Sequence, residues 1–561
     1  MIKARSFAAC ASLAAIQALA ASINVKHFGA KGDCKHVTDG AMAQNSFQLT
    51  SASATFTRAD VGRAIYILDA GDNTYQGKKV RYGNLPLDTT ITRVVDVHTV
   101  LVRKAALNSV AGASVTWGTD DSNAIQNAID YVGASGGGTI FFPAGMFRVT
   151  DHLPGGFGMG FKLNASNLRL TGTGDQSRIF NSSVYSFMTS GTDYYHETGV
   201  TVFYAGSSTP IANVEIDHLW FGDNGQHFNF IVEGPKGTLT NPEGPGVIGT
   251  LGTVNDLRLH DLTIVTSDLC GISTNAEESS GVVMDHINVQ SNGGNHGLYL
   301  GGQKTNLTVS NSIITSTTTP MRIGVVVKRG SHILIRNNRI SNVAQQGIGI
   351  DANSEQQLVS DVAVVGNVVS NDPEGPLPLN LLPPGATKSV NTHGIQVNNG
   401  THIAIENNTI TGMNYSGIYI GADLWPISDV TIEHNLISTT RTGIVITAQL
   451  LAGSHAQAAS DLLRDVRITN NIISVSVTGV YEYQVGGNNR VAGNCIQDGD
   501  RAFLGCSVSF DLKEMNAAKV TFSNNTATGC ASFRVPEELL ADGSNNLRTE
   551  SPRCAVPITI H

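Results

Sequence analysis

One sequence unit occurs twice between Thr305 and Asp351: Leu307-Thr-Val-Ser-Asn311-Ser-Ile-Ile314 with Gly324-Val-Val-Val327, then Ile333-Leu-Ile-Arg-Asn-Asn338-Arg-Ile340 with Gly347-Ile-Gly-Ile350. Apolar and polar residues alternate within each half, which is the pattern of a strand with one buried face. An Asn lies at the turn between two half-strands, and Asn tolerates left-handed backbone and bonds neighbouring peptides. The unit therefore predicts one coil of a solenoid, with an Asn ladder along its turns.

The same unit extends in both directions. Its glycine recurs at Gly271, Gly297, Gly324, Gly347, Gly394, Gly417, Gly443 and Gly479, and its turn at Asn311, Asn338, Asn367, Asn408, Asn435, Asn471, Asn494 and Asn525. The period is about two dozen residues, with short strands and no helical spacing. This predicts an all-β fold, a right-handed single-stranded parallel β-helix, rather than a leucine-rich or helical repeat.

Composition is consistent with one long solenoid domain and excludes some functions. A net charge of −9 without any Lys/Arg run argues against nucleic-acid binding. Residues 1–20 combine a basic start with a short apolar run and Ala18-Leu-Ala20, which predicts a cleaved secretory signal rather than a membrane anchor. We expect a secreted protein, or a periplasmic one in a bacterial host, with no membrane partner, as a monomer or homotrimer.

Cysteine usage fits an oxidising compartment. Cys10 would leave with the signal, and the six that remain are Cys34, Cys270, Cys495, Cys506, Cys530 and Cys554. Loop length favours pairing Cys495 with Cys506 and Cys530 with Cys554. The sequence shows no pattern of Cys or His that indicates a metal site, and we expect no cofactor, except a cation such as calcium if the protein is a lyase.

The N-terminal third predicts a capped end. Residues 122–132 have apolar residues at helical spacing after Asp120, Asp121 or Ser122 as the N-cap. Gly136-Gly-Gly138-Thr-Ile-Phe-Phe142-Pro-Ala-Gly145 follows. Alternating residues within 37–118 predict an inserted β segment. We expect an N-terminal cap over residues 21–135 that contains this insertion, a β-helix over 136–527 and a C-terminal cap over 528–561.

This helix and glycine-rich strand resemble the N-terminal signature of the pectate-lyase-like superfamily, of the rhamnogalacturonase/epimerase type. The resemblance implies a β-helix whose open end the helix covers, and polysaccharide as substrate. An uncovered terminal coil would expose strand edges and core, so a cap is also expected on physical grounds.

The outward face of the glycine-containing strands suits a sugar polymer. Alternation predicts that Tyr299, Tyr419, Lys328 and Asp351 point outward from coils about 4.8 Å apart. Aromatic faces stack on sugar rings while polar groups bind hydroxyls. Asp423 and Trp425, in a loop beside this face, are candidates for a further sugar subsite.

Three strands partially resemble the polygalacturonase family: Ser267-Asp268-Leu-Cys270, Asn295-His296-Gly297 and Gly324-Val-Val-Val-Lys328. The resemblance implies that Asp268 is the general acid, that His296 tunes its proton and that Lys328 binds a substrate carboxylate. Leu269 and Val326 depart from the family pattern. Inverting hydrolysis needs a second carboxylate, for which Asp351 is the first candidate and Asp256 or Glu277 the next.

Three functions remain open at this point. The first is a secreted glycosidase acting on a plant, microbial or uronate-containing polysaccharide. The second is a polysaccharide lyase or uronate epimerase, in which a Lys, His or Tyr base removes a proton next to a carboxylate and a cation or metal neutralises that carboxylate. Lys328, Arg329, His296 and Tyr299 could serve this chemistry. The third is a non-catalytic carbohydrate-binding solenoid, in which Asp268 is a turn residue and Lys328 and Asp351 form a surface ion pair.

Overall fold

The chain folds as a right-handed parallel β-helix with one α-helix at its N-terminal end, as the sequence predicts. The computed structural model describes residues 22–72, 74–75, 78–79, 86–150, 159–182, 185–188, 194–197, 201–205, 209–223, 246–250, 253–266, 270–274, 278–291, 296–317, 320–351, 359–371, 392–422, 426–439, 441–447, 463–475, 478–483, 489–498, 509–511, 520–528, 532–534 and 545–549. The proposed signal, residues 1–20, lies outside them.

Two long sheets form the solenoid. Within the described residues, sheet 1 has 26 strands. They are Ser22–Asn24, Gly138–Phe141, Gly145–Val149, Leu168–Thr171, Ser177–Asn181, Ile211–Asp217, Trp220–Asp223, Val254–Thr266, Glu278–Ser291, Gln303–Ser310, Ile313–Ser316, Gly330–Arg336, Arg339–Ser341, Val359–Val365, Val368–Ser370, Gly400–Glu406, Thr409–Thr411, Ile427–Glu433, Leu436–Ser438, Leu463–Thr469, Ile472–Val475, Asn489–Ala492, Cys495–Asp498, Val520–Ser523, Thr526–Thr528 and Leu547–Thr549.

Sheet 2 contains the glycine-containing strands and is parallel throughout its described length. Its strands are Met159–Leu163, Thr201–Ala205, Gly246–Thr250, Cys270–Thr274, His296–Leu300, Met321–Val327, Val343–Ile350, His393–Val397, Ser416–Gly421, Thr442–Thr447, Thr478–Tyr483, Ser509–Asp511 and Ser532–Arg534. Strands of both sheets lie beyond residue 527, so parallel pairing continues into the segment that was expected to be a C-terminal cap.

An Asn ladder joins the two strands that each coil contributes to sheet 1. The Nδ2 group of each ladder Asn donates to the Oδ1 atom of the Asn one coil further on, from Asn338 through Asn367, Asn408, Asn435, Asn471, Asn494 and Asn525 to Asn546. Asn311 was predicted in this row and does not belong to it. Ser312 occupies that position instead, and its backbone N donates to Asn338 Oδ1.

Left-handed backbone explains where Asn311 lies. Most coils have two left-handed residues in sheet 1, with φ near +55°. One lies near the start of the first strand of the coil, and the other lies at the turn after that strand. The pairs are Asn306 and Asn311, His332 and Asn337, His402 and Asn407, Asp429 and His434, and Asp465 and Asn470. Asn, Asp, His and Gly occupy these two positions in successive coils, because they tolerate left-handed backbone better than other residues do.

The recurring glycine of sheet 2 is required by packing. A Cβ atom on Gly324 would lie 2.4 Å from Ile340 Cγ2 and 2.6 Å from the carbonyl oxygen of Gly347. Gly297, Gly347, Gly394 and Gly417 are blocked in the same way, each by a branched side chain of sheet 1 and by the next glycine of the column. These glycines therefore face the core, and each side chain just before a glycine points outward.

One apolar cluster runs along the solenoid and includes the face of the helix Ser122–Ala134. Ile125, Ile129 and Val132 are buried there together with Phe161 of the first described strand of sheet 2. The helix thus covers the end of the core, as predicted. Its first turn is held by Asp120, whose Oδ1 atom accepts hydrogen bonds from the backbone N and the hydroxyl of Ser122.

A charged residue occupies one inward position of the core. Lys304 pairs with Gly330 in sheet 1, in a column that also holds the core residues Val359 and Ile427. Its side chain is fully buried. Burial, together with repulsion from Arg329, lowers its pKa to about 7.

The inserted segment is a closed barrel with its own core. Its six strands are Lys35–Met42, Gln48–Thr50, Ala64–Ile67, Leu87–Asp96, Thr99–Val102 and Val110–Trp117. Short strand pairs occur at Thr74–Tyr75 with Lys78–Lys79 and at Tyr185–Met188 with Tyr194–Glu197, and 3-10 turns at Val25–Phe28 and Arg58–Asp60. Phe56, Ile65 and Trp117 pack inside the barrel, separately from the solenoid core.

Cys34 and Cys270 are buried thiols outside any disulfide. Cys506, Cys530 and Cys554 lie outside the described residues, so the proposed pairings stay predictions. Within the described part of the chain no helix is both long enough and apolar enough to cross a membrane.

Candidate functional site

The outward face of sheet 2 holds the sequence-predicted site residues that the structure describes, with the exception of Asp256. Asp256 is a left-handed residue of sheet 1 and is therefore not a candidate base for this face. Asp268, Glu277, Asp423 and Trp425 lie outside the described residues, and their roles stay predictions.

The first part of this face is covered. Cys270, Tyr299, Ile323 and Val326 form a buried cluster, and the Tyr299 side chain is only 2% exposed. Tyr299 was predicted to stack on a sugar, and its burial contradicts this. Strand alternation places a residue on a face, but it does not show what covers that face.

His296 lies in the same covered region. Its Nδ1 atom is 3.6 Å from Cys270 Sγ, and its ring centroid is 5.3 Å from that of Tyr299. Burial, reinforced by the charges of Arg322 and Lys328, lowers the pKa of His296 well below its usual range. The imidazole is therefore neutral at pH 7, and as a buried ring it can position neighbours but does not face a bound polymer.

An ion pair lies at the C-terminal end of the same strands, where the Lys328 side chain is 10% and the Asp351 side chain 25% exposed. Lys328 Nζ lies 2.7 Å from Asp351 Oδ2, and both residues follow directly on core-facing residues, Val327 and Ile350. Arg322 Nε donates to Gln345 Oε1 at 3.0 Å. Arg322, near the start of the strand Met321–Val327, and Lys328, directly after its end, both act electrostatically on His296. We call these two residues the cationic cluster.

The structure brings Lys328 and Asp351 together but not Asp351 and His296. His296 pairs with Ile323 and Ile323 with Gln346, so Asp351 lies five residues further along the strand and two coils away. At about 3.3 Å per residue and about 4.8 Å per coil, their backbones are roughly 15 to 20 Å apart. The two predicted catalytic residues therefore do not share one reaction centre.

A row of amides continues the face toward the C-terminus. Gln346 Nε2 donates to Gln396 Oε1 at 2.6 Å, and Gln396 Nε2 donates to Asn398 Oδ1 at 3.0 Å. Gly349 makes room for this row, because a Cβ there would overlap Gln346 Oε1. These half-buried amides supply both donors and acceptors, which suits the hydroxyls of a sugar.

Aromatic side chains adjoin the amide row. The His393 ring lies between Tyr415 and Tyr419, with centroid distances of 5.2 and 4.9 Å, and its Nδ1 atom is 2.7 Å from Ser416 Oγ. Burial lowers the pKa of His393 to about 4. The Arg441 guanidinium lies 5.0 Å from the centroid of the Tyr415 ring. Tyr419 is half-buried and remains a candidate for stacking on a sugar.

Sequence reasoning missed His393, although a signal was present. Thr392-His393-Gly394 repeats the pattern of Asn295-His296-Gly297, and both histidines precede a glycine of the column. Strict alternation counts the residue before the glycine as inward. The glycine and the residue after it both face the core, which turns the preceding side chain outward.

Comparison with known proteins gives two family matches along the chain. Residues 110–351 match the model for rhamnogalacturonase A/epimerase, pectate lyase-like, and residues 387–535 match the model for the right handed beta helix region. No curated protein matches the chain. Both matches are consistent with the pectate-lyase-like superfamily of right-handed parallel β-helix proteins.

Several solved structures resemble this chain at low identity. The A-module of a mannuronan C-5 epimerase from Azotobacter vinelandii is 18% identical, covering 74% of this chain and 96% of its own, with a TM-score of 0.39. A tailspike protein of E. coli bacteriophage HK620, in complex with a hexasaccharide, is 14% identical, covering 77% of this chain and 74% of its own, with a TM-score of 0.44. Pre-mature gene product 12 of bacteriophage phi29 is 17% identical, covering 76% of this chain and 56% of its own, with a TM-score of 0.48.

Proposed function

We propose that this protein is a secreted enzyme that acts on an acidic, uronate-containing polysaccharide bound along the outward face of sheet 2. The cationic cluster supports the proposal best. Among the described residues of the strands from His296 to Thr447 and the residues that directly follow them, Asp351 is the one carboxylate, against two cations, Arg322 and Lys328. A bound uronate carboxylate would form charge-assisted hydrogen bonds there.

The amide row and Tyr419 extend the cluster into an elongated surface. Neutral donors and acceptors bind sugar hydroxyls, and a phenol ring packs on the apolar face of a pyranose. The surface follows the solenoid axis, because its members come from successive coils. A polymer laid along the axis would therefore meet charge at one end and hydroxyl-binding groups toward the other.

Hydrolysis is the first reaction to test. By resemblance to the polygalacturonases, Asp268 would protonate the leaving oxygen and His296 would tune its proton. Inversion also requires a second carboxylate, which would have to come from a residue nearer to His296 than Asp351. Lys328 would then have two partners, Asp351 and the substrate carboxylate.

Elimination or epimerisation is the second reaction, and the contact between Lys328 and Asp351 favours it. A base of this pair would remove the proton next to the uronate carboxylate, and a cation beside that carboxylate would neutralise the charge that develops. In elimination the adjacent bond to the glycosidic oxygen then breaks and a carbon–carbon double bond forms. In epimerisation a proton returns on the opposite face.

Product analysis on matched acidic and neutral polysaccharides tests the proposal. New reducing ends without ultraviolet absorbance identify a hydrolase, unsaturated ends a lyase, and inverted uronate residues without cleavage an epimerase. Binding without turnover identifies the non-catalytic alternative. Equal binding of neutral and acidic polymers, measured by affinity electrophoresis, would contradict the role of the cationic cluster.

Variants locate the site. Loss of one charge-assisted contact costs about 1.5 to 3 kcal/mol, so Lys328→Met should lower kcat/KM about 10- to 100-fold on the acidic polymer. Arg339→Gln is the matched control, because Arg339 is exposed on sheet 1, and it should leave kcat/KM unchanged. The proposed site is wrong if Lys328→Met retains full activity.

A further inference from the structure

Two histidines and an aspartate meet on sheet 1, away from the face described above. His218 follows the strand Ile211–Asp217, and His260 and Asp261 lie within the strand Val254–Thr266 of the next coil. Asp217 pairs with His260 in the register, while His218 and Asp261 both have φ of 52° at equivalent turns. The fold thus stacks residues that are more than 40 positions apart in the sequence.

The distances suit a small cation. His260 Nδ1 lies 2.8 Å from Asp261 Oδ2, and His218 Nε2 lies 4.0 Å from the same oxygen. One ligand atom from each of the three residues lies within 4.8 Å of the others. Around tetrahedral zinc, with bonds of about 2.0 to 2.1 Å, ligand atoms lie about 3.3 Å apart, and the two observed distances bracket this value.

Carboxylates orient both imidazoles toward that point. His218 Nδ1 lies 2.7 Å from Asp217 Oδ1, and His260 Nε2 lies 3.4 Å from Glu215 Oε1. Asp217 is fully buried and is itself fixed by Arg169, whose Nε and Nη2 atoms donate to its two oxygens at 2.8 and 3.2 Å. Histidines that bind metals usually donate their other nitrogen to a carboxylate in this manner, which leaves the remaining nitrogen to bind the ion.

We propose that His218 Nε2, His260 Nδ1 and Asp261 bind a divalent transition-metal ion of the zinc type. Two imidazoles and one carboxylate are ligands that such ions prefer, with solvent in the fourth position. The ion would join two successive coils near the N-terminal end of sheet 1. This proposal does not depend on the proposed enzymatic function.

Cobalt titration of untagged full-length protein, after chelation and dialysis, tests the site. Co²⁺ should give visible absorption bands of four- or five-coordinate geometry at one equivalent, and Zn²⁺ should abolish them. His218→Asn, which keeps a residue tolerant of left-handed backbone, and His260→Gln should each weaken binding at least about 100-fold. Glu215→Gln, which removes a supporting carboxylate, should weaken it about 10- to 100-fold.

His402→Asn is the matched control. His402 is also left-handed, with φ of 55°, and is flanked by Asp361 and Asp429 at 3.6 Å, but it has no second imidazole beside it among the described residues. This variant should bind Co²⁺ as the wild type does. An unchanged spectrum on adding Co²⁺ to wild type, or undiminished affinity in folded His218→Asn and His260→Gln variants, would overturn the proposal. Folding of each variant is checked by far-ultraviolet circular dichroism.

Discussion

Replacing Asn408 by Ala removes four side-chain hydrogen bonds from the middle of the ladder. Asn408 Nδ2 donates to Val364 O at 2.9 Å and to Asn435 Oδ1 at 3.0 Å, and its Oδ1 accepts from the backbone N and Nδ2 of Asn367 at 2.9 and 3.0 Å. The backbone N of residue 408 still reaches Asn435 Oδ1 in the variant. The groups most affected are therefore the Asn367 amide and the Val364 carbonyl, both buried.

The expected destabilisation follows from these two groups. A buried donor or acceptor left without a partner costs about 1 to 3 kcal/mol, so Asn408→Ala should lower the unfolding free energy by about 2 to 6 kcal/mol. Asn407→Gly is the control, because Asn407 is exposed and has φ of 55°, which Gly also adopts. It should change stability by less than about 1 kcal/mol.

Urea unfolding followed by circular dichroism measures both variants, and hydrogen exchange adds a local readout. Exchange at the Asn367 amide should accelerate in Asn408→Ala and stay unchanged in Asn407→Gly. If the midpoints of the two variants agree and protection at Asn367 is unaltered, the ladder does not contribute as its geometry indicates.

Three further outcomes follow from buried groups. His393 has a pKa of about 4 in the folded chain against about 6.5 in the unfolded chain, so the unfolding free energy should fall by about 3 kcal/mol from pH 6.5 to pH 4. In an acid-unfolding series, His393→Gln should lack this decrease of about 3 kcal/mol. Lys304 has a pKa of about 7, lowered from 10.5, so the unfolding free energy of wild type relative to Lys304→Met should rise by about 3 kcal/mol from pH 7 to pH 10; a constant difference would show that Lys304 titrates normally. Gly324→Ala should cost more than about 1 kcal/mol in thermal unfolding, because its Cβ meets Ile340 Cγ2 and the Gly347 carbonyl, and an unchanged Tm would contradict this packing.

The sequence predicted the fold well because its repeats report backbone geometry directly. Period-two alternation indicated the strands, and seven of the eight predicted Asn positions lie in the ladder. The error at Asn311 has a physical reason. Asn is favoured both as a buried ladder residue and as an exposed left-handed residue, and the two uses are adjacent in the chain.

The candidate site was less predictable because it depends on the register between strands and on which groups lie over the outward face of sheet 2. Lys328 and Asp351 were expected to be neighbours and are in contact. Tyr299 was expected to be exposed and is buried, since alternation does not reveal covering groups. The cluster of His218, His260 and Asp261 was not foreseen, because its members meet through the pairing of coils of unequal length.

The register of sheet 2 has a consequence for how this protein can change during evolution. Ser416 pairs with Thr442, and each is followed by a core-facing glycine. A gene that lost residues 417–442 would join Ser416 to Gly443 and leave every column of the solenoid in phase. Duplication of the same segment would insert one more coil of about 4.8 Å. Whole coils are thus units of recombination, and the surface that faces a polymer can gain or lose length in fixed steps while the residues at either end keep their surroundings.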